Sequence, residues 1–68
     1  MPIQWIYANG STWGSLDAAT QQQIEALWSR HGSSWIPSHS FEGHVYVDTT
    51  EMLIMAGGYY FVIARRKN

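Results

Sequence analysis

Only one stretch of the chain, Asp17 to His31 (D-A-A-T-Q-Q-Q-I-E-A-L-W-S-R-H), has a helical pattern, and every other segment must be arranged around it. Asp17 has a short side-chain oxygen that can accept from the free amides of a first turn, and strong helix formers follow it. Arg30 and His31 place basic groups where the helix dipole is negative, and Gly32 is expected to take the left-handed position that ends the helix. At ~100° per residue, Thr20, Ile24, Leu27, Trp28 and His31 share one face, while Ala19, Gln23, Ala26 and Arg30 lie opposite. Such a helix needs cover along one stripe. The rest of the chain offers only short strands to provide it.

Those strands are marked by β-formers between turn signals. Residues 3–8 (I-Q-W-I-Y-A) put Ile3, Trp5 and Tyr7 on one face; Asn9-Gly10 is a turn, and Thr12 to Leu16 returns as the hairpin partner. Beyond the helix, Ser33 to Ile36 is a short strand closed by Pro37, and Ser38 to Phe41 is a weak strand candidate before a Glu42-Gly43 turn. His44 to Asp48, Met52 to Met55 and Tyr59 to Arg65 complete the set, the last two joined by a Gly57-Gly58 turn. There is no internal repeat, low-complexity segment or linker. The expectation is one domain, residues 1–68, of class α+β: a small curved antiparallel half-barrel of about six strands wrapped around one α-helix.

A chain of 68 residues without cysteine has no disulfide to staple it, and its bulk comes from four Trp, four Tyr and two Phe. Thiolate zinc sites and cysteine redox chemistry are excluded, and no cofactor is implied. No apolar run approaches the ~20 residues of a membrane span, and Met1 to Trp5 lacks the basic and apolar regions of a leader, so an intracellular monomer off the membrane is expected, in cytoplasm or nucleus. Three of the four basic residues are Arg65, Arg66 and Lys67, read as a solvated tail. That is too few cations for long nucleic acid, though enough for one or two phosphates. His31, His39 and His44 lack metal-site spacing. Trp13 and Trp35 with Pro37 imitate the spacing of a WW domain, but a helix lies where that fold needs a strand. No nucleophile–base pattern is present, and catalysis is not expected.

Taken together, W-I-Y-A-N-G-S-T-W, the helix opened by Asp17, I-E-A-L-W, the strand Val45-Tyr46-Val47-Asp48, Met52 and the closing Ile63-to-Arg66 run resemble the WWE domain. Trp5, Trp13 and Glu25 stand for its two tryptophans and glutamate, and the resemblance covers nearly the whole chain. It implies a half-barrel around one helix and a binding function: reading ADP-ribose or poly(ADP-ribose) units in ubiquitin or ADP-ribosylation pathways. Carried over position by position, Trp13, Tyr46, Ile54 and Phe61 fall in the expected ligand site; Tyr7 and Arg65, the latter or Arg66 for a phosphate, complete the expected ligand-binding residues. Several depart from the pattern. The first-strand aromatic falls on Ile6, the glutamine after the methionine on Ile54, and the arginine of the last strand near Phe61. The reader is therefore expected to have a weakened site. The alternative is a protein–protein interaction or structural module that has lost nucleotide binding.

Each of these residues also has a packing role. Trp5 and Trp28 lie on apolar faces and read as core, Trp13 as either core or pocket wall, and Tyr46 as a packed strand residue with a tethered hydroxyl. Glu25 sits at the rim of the apolar stripe, where a bare carboxylate is costly. It is expected to pair with a donor in the Trp5 hairpin or the last strand.

Overall fold

The computed structural model describes residues 2–67; Met1 and Asn68, the two ends of the expected domain and the first residue of the stretch read for a leader, lie outside them. The elements run β1 (Ile3–Asn9), β2 (Thr12–Ser15), α1 (Ala18–Ser29), β3 (Ser33–Ser38), a 3-10 turn (His39–Phe41), β4 (Gly43–Asp48), β5 (Leu53–Ala56) and β6 (Tyr59–Lys67). The six strands form one open sheet in the order β2-β1-β6-β5-β4-β3, with every pairing antiparallel. The helix packs against β1 and β3, which lie toward opposite ends of that order, so the sheet half-wraps it. This is the expected α+β half-barrel. Among the described residues no helix is long and apolar enough to cross a membrane.

Alternation along the strands decides which side chains meet the helix. Trp5, Ile36, Val45, Val47, Ile54 and Ile63 point inward and join Leu16, Ile24 and Leu27 in one buried cluster. Trp28 packs against the cluster while remaining partly exposed. The first and last strands are neighbours: Trp5 pairs with Arg65 and Gln4 with Arg66. Arg65, Arg66 and Lys67 are thus part of β6 rather than a solvated tail, because β1 offers a backbone edge that the final strand completes.

Tertiary contacts displace the local signals in four places. The first hairpin turns at Gly10-Ser11, with Asn9 still paired to Thr12 and positive φ only at Gly10. A glycine at the first of two loop positions suits the twist of the flanking strands. Strand β3 runs through Pro37 to Ser38, which an edge strand tolerates because one side of its backbone has no partner. Ser38 to Phe41 is not a strand: after Ser38 the chain turns as a 3-10 helix closed by Glu42 in the left-handed region. Met52, expected to open a strand, lies in the preceding turn at φ 57°.

The helix terminates one residue earlier than expected. His31, not Gly32, holds the left-handed position (φ 54°), while the Gly32 amide donates to the Leu27 carbonyl at 2.8 Å and the His31 amide to the Trp28 carbonyl at 3.1 Å. This is the two-bond Schellman arrangement with a β-carbon where glycine is favoured. His31→Gly should therefore stabilise the fold by roughly 0.5–1 kcal/mol, less the extra freedom glycine adds to the unfolded chain. Chemical denaturation is the check, and a lower midpoint for the variant would contradict this.

Candidate functional site

The helix is tied to the sheet by two polar clusters, one at its start and one about two turns along. At its start, Asp17 caps α1: the Thr20 amide donates to Oδ2 at 3.1 Å, and the Thr20 hydroxyl donates to Oδ1. Oδ1 also accepts from the Ser40 amide (3.1 Å) and hydroxyl (2.7 Å), which fastens the 3-10 turn to the helix. The Thr20 proton is committed to the carboxylate, so the buried Ser38 hydroxyl supplies the proton in their 2.9 Å bond. The hydrogen bond from the Thr20 hydroxyl, with those from Ser40, holds the Asp17 carboxyl well below the usual carboxylate range.

Farther along the helix, Glu25 accepts from Trp5 Nε1 at 2.8 Å and from Arg65 Nε (2.9 Å) and Nη2 (2.7 Å). The fork is bidentate, and the guanidinium also lies 3.9 Å from the centre of the Trp28 ring. The expected partner of Glu25 is present twice over, in β1 and in β6. Arg65 lowers the Glu25 pKa, and Glu25 raises that of Arg65. Between the two clusters, Gln21 accepts from the Trp5 amide at 2.9 Å and donates to the Leu16 carbonyl at 2.7 Å.

The six expected ligand residues fall on two faces of the sheet. On the inner face, the Tyr7 ring lies 5.1 Å from Phe41 and 5.7 Å from Phe61, while Phe41 and Phe61 are 5.3 Å apart. The Tyr7 ring also covers Gly14 so closely that a β-carbon there would sit 2.6 Å from it. Ile54 is fully buried in the core, and Arg65 is spent on Glu25 and Trp28. On the outer face stand Trp13, paired with Ala8, and Tyr46, paired with Met55. Four strand spacings separate β2 from β4, roughly 19 Å along the sheet at ~4.8 Å each, too far for both rings to grip one base. The structure thus joins Tyr7 to Phe61 and leaves Trp13 and Tyr46 apart from them and from each other. Ile6 is buried on the outer face, between Ser15 and Ala64.

Sequence reasoning passed over Phe41, which completes the inner aromatic cluster, and over the outer-face row Trp35–Tyr46–Met55–Tyr60, whose members pair in sequence across four strands. The second was detectable: if Val45 and Val47 face inward, Tyr46 and Asp48 must face out. A small cleft of about 220 Å³ opens on this face, lined by Tyr46, Asp48, Leu53, Met55 and Tyr60. A larger concavity, about 520 Å³, runs beside the helix start past Pro37, His39 and His44. Of its two carboxylates, Asp17 is taken up by Thr20 and Ser40 and Glu42 closes the 3-10 turn, and among the described residues no cluster could ligate a metal. No family model matches the chain, nor does any curated protein or solved structure.

Proposed function

We propose that this chain is a non-catalytic binding module on a WWE-like scaffold, intracellular, in which the ADP-ribose site has closed and protein interaction is the working function. The observation carrying this reading is the inner aromatic cluster. Phe61 stands near the position where the resemblance implies an arginine, and it packs with Tyr7 and Phe41. Ile54, where a glutamine is implied, has no exposed surface. An ADP-ribose unit brings two phosphate charges that need donors or cations in place of water. Of the four cations, Arg65 is held by Glu25, Arg66 donates to Gln4, Arg30 reaches back to the Ala26 carbonyl, and Lys67 pairs with Ile3 at the far end of β6 from Phe61. Opening a pocket would require breaking the aromatic packing first.

The expected energies agree. Stacking contributes ~1–3 kcal/mol per base, against ~8 kcal/mol for micromolar affinity. Titration of iso-ADP-ribose into the folded chain by calorimetry is expected to give a dissociation constant of about a millimolar or weaker. A micromolar constant would restore the plain ADP-ribose reader.

A further inference from the structure

We propose that the outer-face cleft between Tyr46 and Tyr60 is a cation site that takes a methylated ammonium side chain, of the trimethyl-lysine kind, from a partner peptide. The inference rests on the reading of the chain as a binding module but uses none of the residues that close the ADP-ribose position.

The register builds the cleft. Tyr46 pairs with Met55 and Met55 with Tyr60, so two phenol rings flank a thioether floor on one face. The strands that carry the two tyrosines stand ~9.6 Å apart, with Met55 on the strand between, so the floor for a cation lies between the two phenol side chains. A trimethylammonium group with its methyl shell fills a gap of that size. Two contacts fix Tyr46 in place. Its hydroxyl donates to Ser33 Oγ at 3.0 Å, and Trp35 packs against its ring at 5.4 Å and 66°. Tyr60 is 69% exposed, which leaves its ring open to a ligand.

Charge selects the ligand. Asp48 lines the same cleft, two residues along β4 from Tyr46 and on the same face. Its Oδ1 takes all three hydrogen bonds of the following turn, from the Thr50 hydroxyl (2.7 Å), the Thr50 amide (3.0 Å) and the Glu51 amide (3.2 Å). Oδ2 accepts none among the described residues, and the carboxyl stays ionised because those bonds, the Thr50 hydroxyl foremost, lower its pKa. No lysine or arginine lines the cleft. Aromatic walls, an apolar floor and one free carboxylate oxygen match a cation with an apolar skin. A bare ammonium would have to give up strongly held water, which favours the methylated form. A choline headgroup carries a phosphate close to its nitrogen, which Asp48 would repel and no cation is placed to receive. The apolar shoulders Trp35 and Val62, 58% and 51% exposed, instead suit the flanks of a peptide laid across the strands.

The test is a nuclear magnetic resonance titration of the whole chain with capped trimethyl-lysine, capped lysine, a capped neutral tert-butyl isostere and phosphocholine. Saturable shifts at Tyr46, Asp48, Met55 and Tyr60 are expected with trimethyl-lysine in the millimolar range. The neutral isostere and lysine should bind about tenfold more weakly, and Asp48→Asn, which keeps the turn acceptor, should weaken trimethyl-lysine by a similar factor. Tyr60→Ala, at an exposed position, should abolish the shifts while the fold persists. Equal binding of the neutral isostere, tighter binding of phosphocholine, no saturation, or indifference to Tyr60→Ala would each overturn the proposal. Iso-ADP-ribose binding is measured independently, so either proposal can fail without the other.

Discussion

Trp5→Ala is expected to remove half or more of the stability of the fold. The indole is 1% exposed, meets Trp28 edge-on at 6.3 Å and donates from Nε1 to Glu25. Truncating a buried aromatic to alanine costs roughly 3–5 kcal/mol, and a chain of this length has roughly 3–10 kcal/mol in total. The loss extends beyond the cavity, because Glu25 would keep only Arg65 as a donor and Trp28, which lies beneath the Arg65 guanidinium, would lose the ring it packs against. Trp5→Phe retains most of the packing and gives up the hydrogen bond, so a loss nearer 1–2 kcal/mol is expected. Leu27→Ala belongs with the larger change and Gln22→Ala, on the exposed face, with none. Urea titration followed by far-ultraviolet circular dichroism separates these outcomes. A Trp5→Ala midpoint equal to that of the parent would show that the core is centred elsewhere.

The second large effect belongs to Asp17. Its carboxylate accepts from the amide and hydroxyl of Thr20 and from the amide and hydroxyl of Ser40, so Asp17→Ala removes a helix cap and the anchor of the 3-10 turn together. An N-cap alone is worth about 0.5–2 kcal/mol and hydrogen bonds to a charged group about 1.5–3, so a total near 2–4 kcal/mol is expected. The same carboxylate makes the fold acid-sensitive. Its folded pKa lies below its unfolded one, so the folded state holds fewer protons and the stabilisation is complete above the ordinary carboxylate range near ~4. It is lost as the pH falls from there. Glu25, lowered by Arg65, and Asp48, lowered by Thr50, act in the same direction. Melting temperature should therefore drop between about pH 4 and pH 2, and the drop should be smaller in Asp17→Asn, which can still cap the helix without a titrating charge. An acid drop of full size in that variant would clear Asp17 of any part in the acid sensitivity.

Sequence by itself determined the features whose causes are local. Asp17 is a cap because of its own side chain, Gly57-Gly58 turn because both adopt positive φ, and Val45 and Val47 face the helix because alternation leaves them no other choice. The need of Glu25 for a donor followed from its position at the rim of an apolar stripe. Tertiary structure decided what depends on partners distant in sequence. Pairing of β1 with β6 turned a basic tail into a strand and delivered Arg65 to Glu25, forty residues away. The edge position of β3 let a strand pass through Pro37, and the closure of the helix end placed His31 where glycine was expected. Most consequential for binding, the strand order put Trp13 and Tyr46 four strands apart and brought Tyr7, Phe41 and Phe61 together. A period of two tells which face a side chain occupies, but only the strand order tells which other side chains share that part of the face. For that reason the strands could be read from the residues one at a time, whereas the site could not.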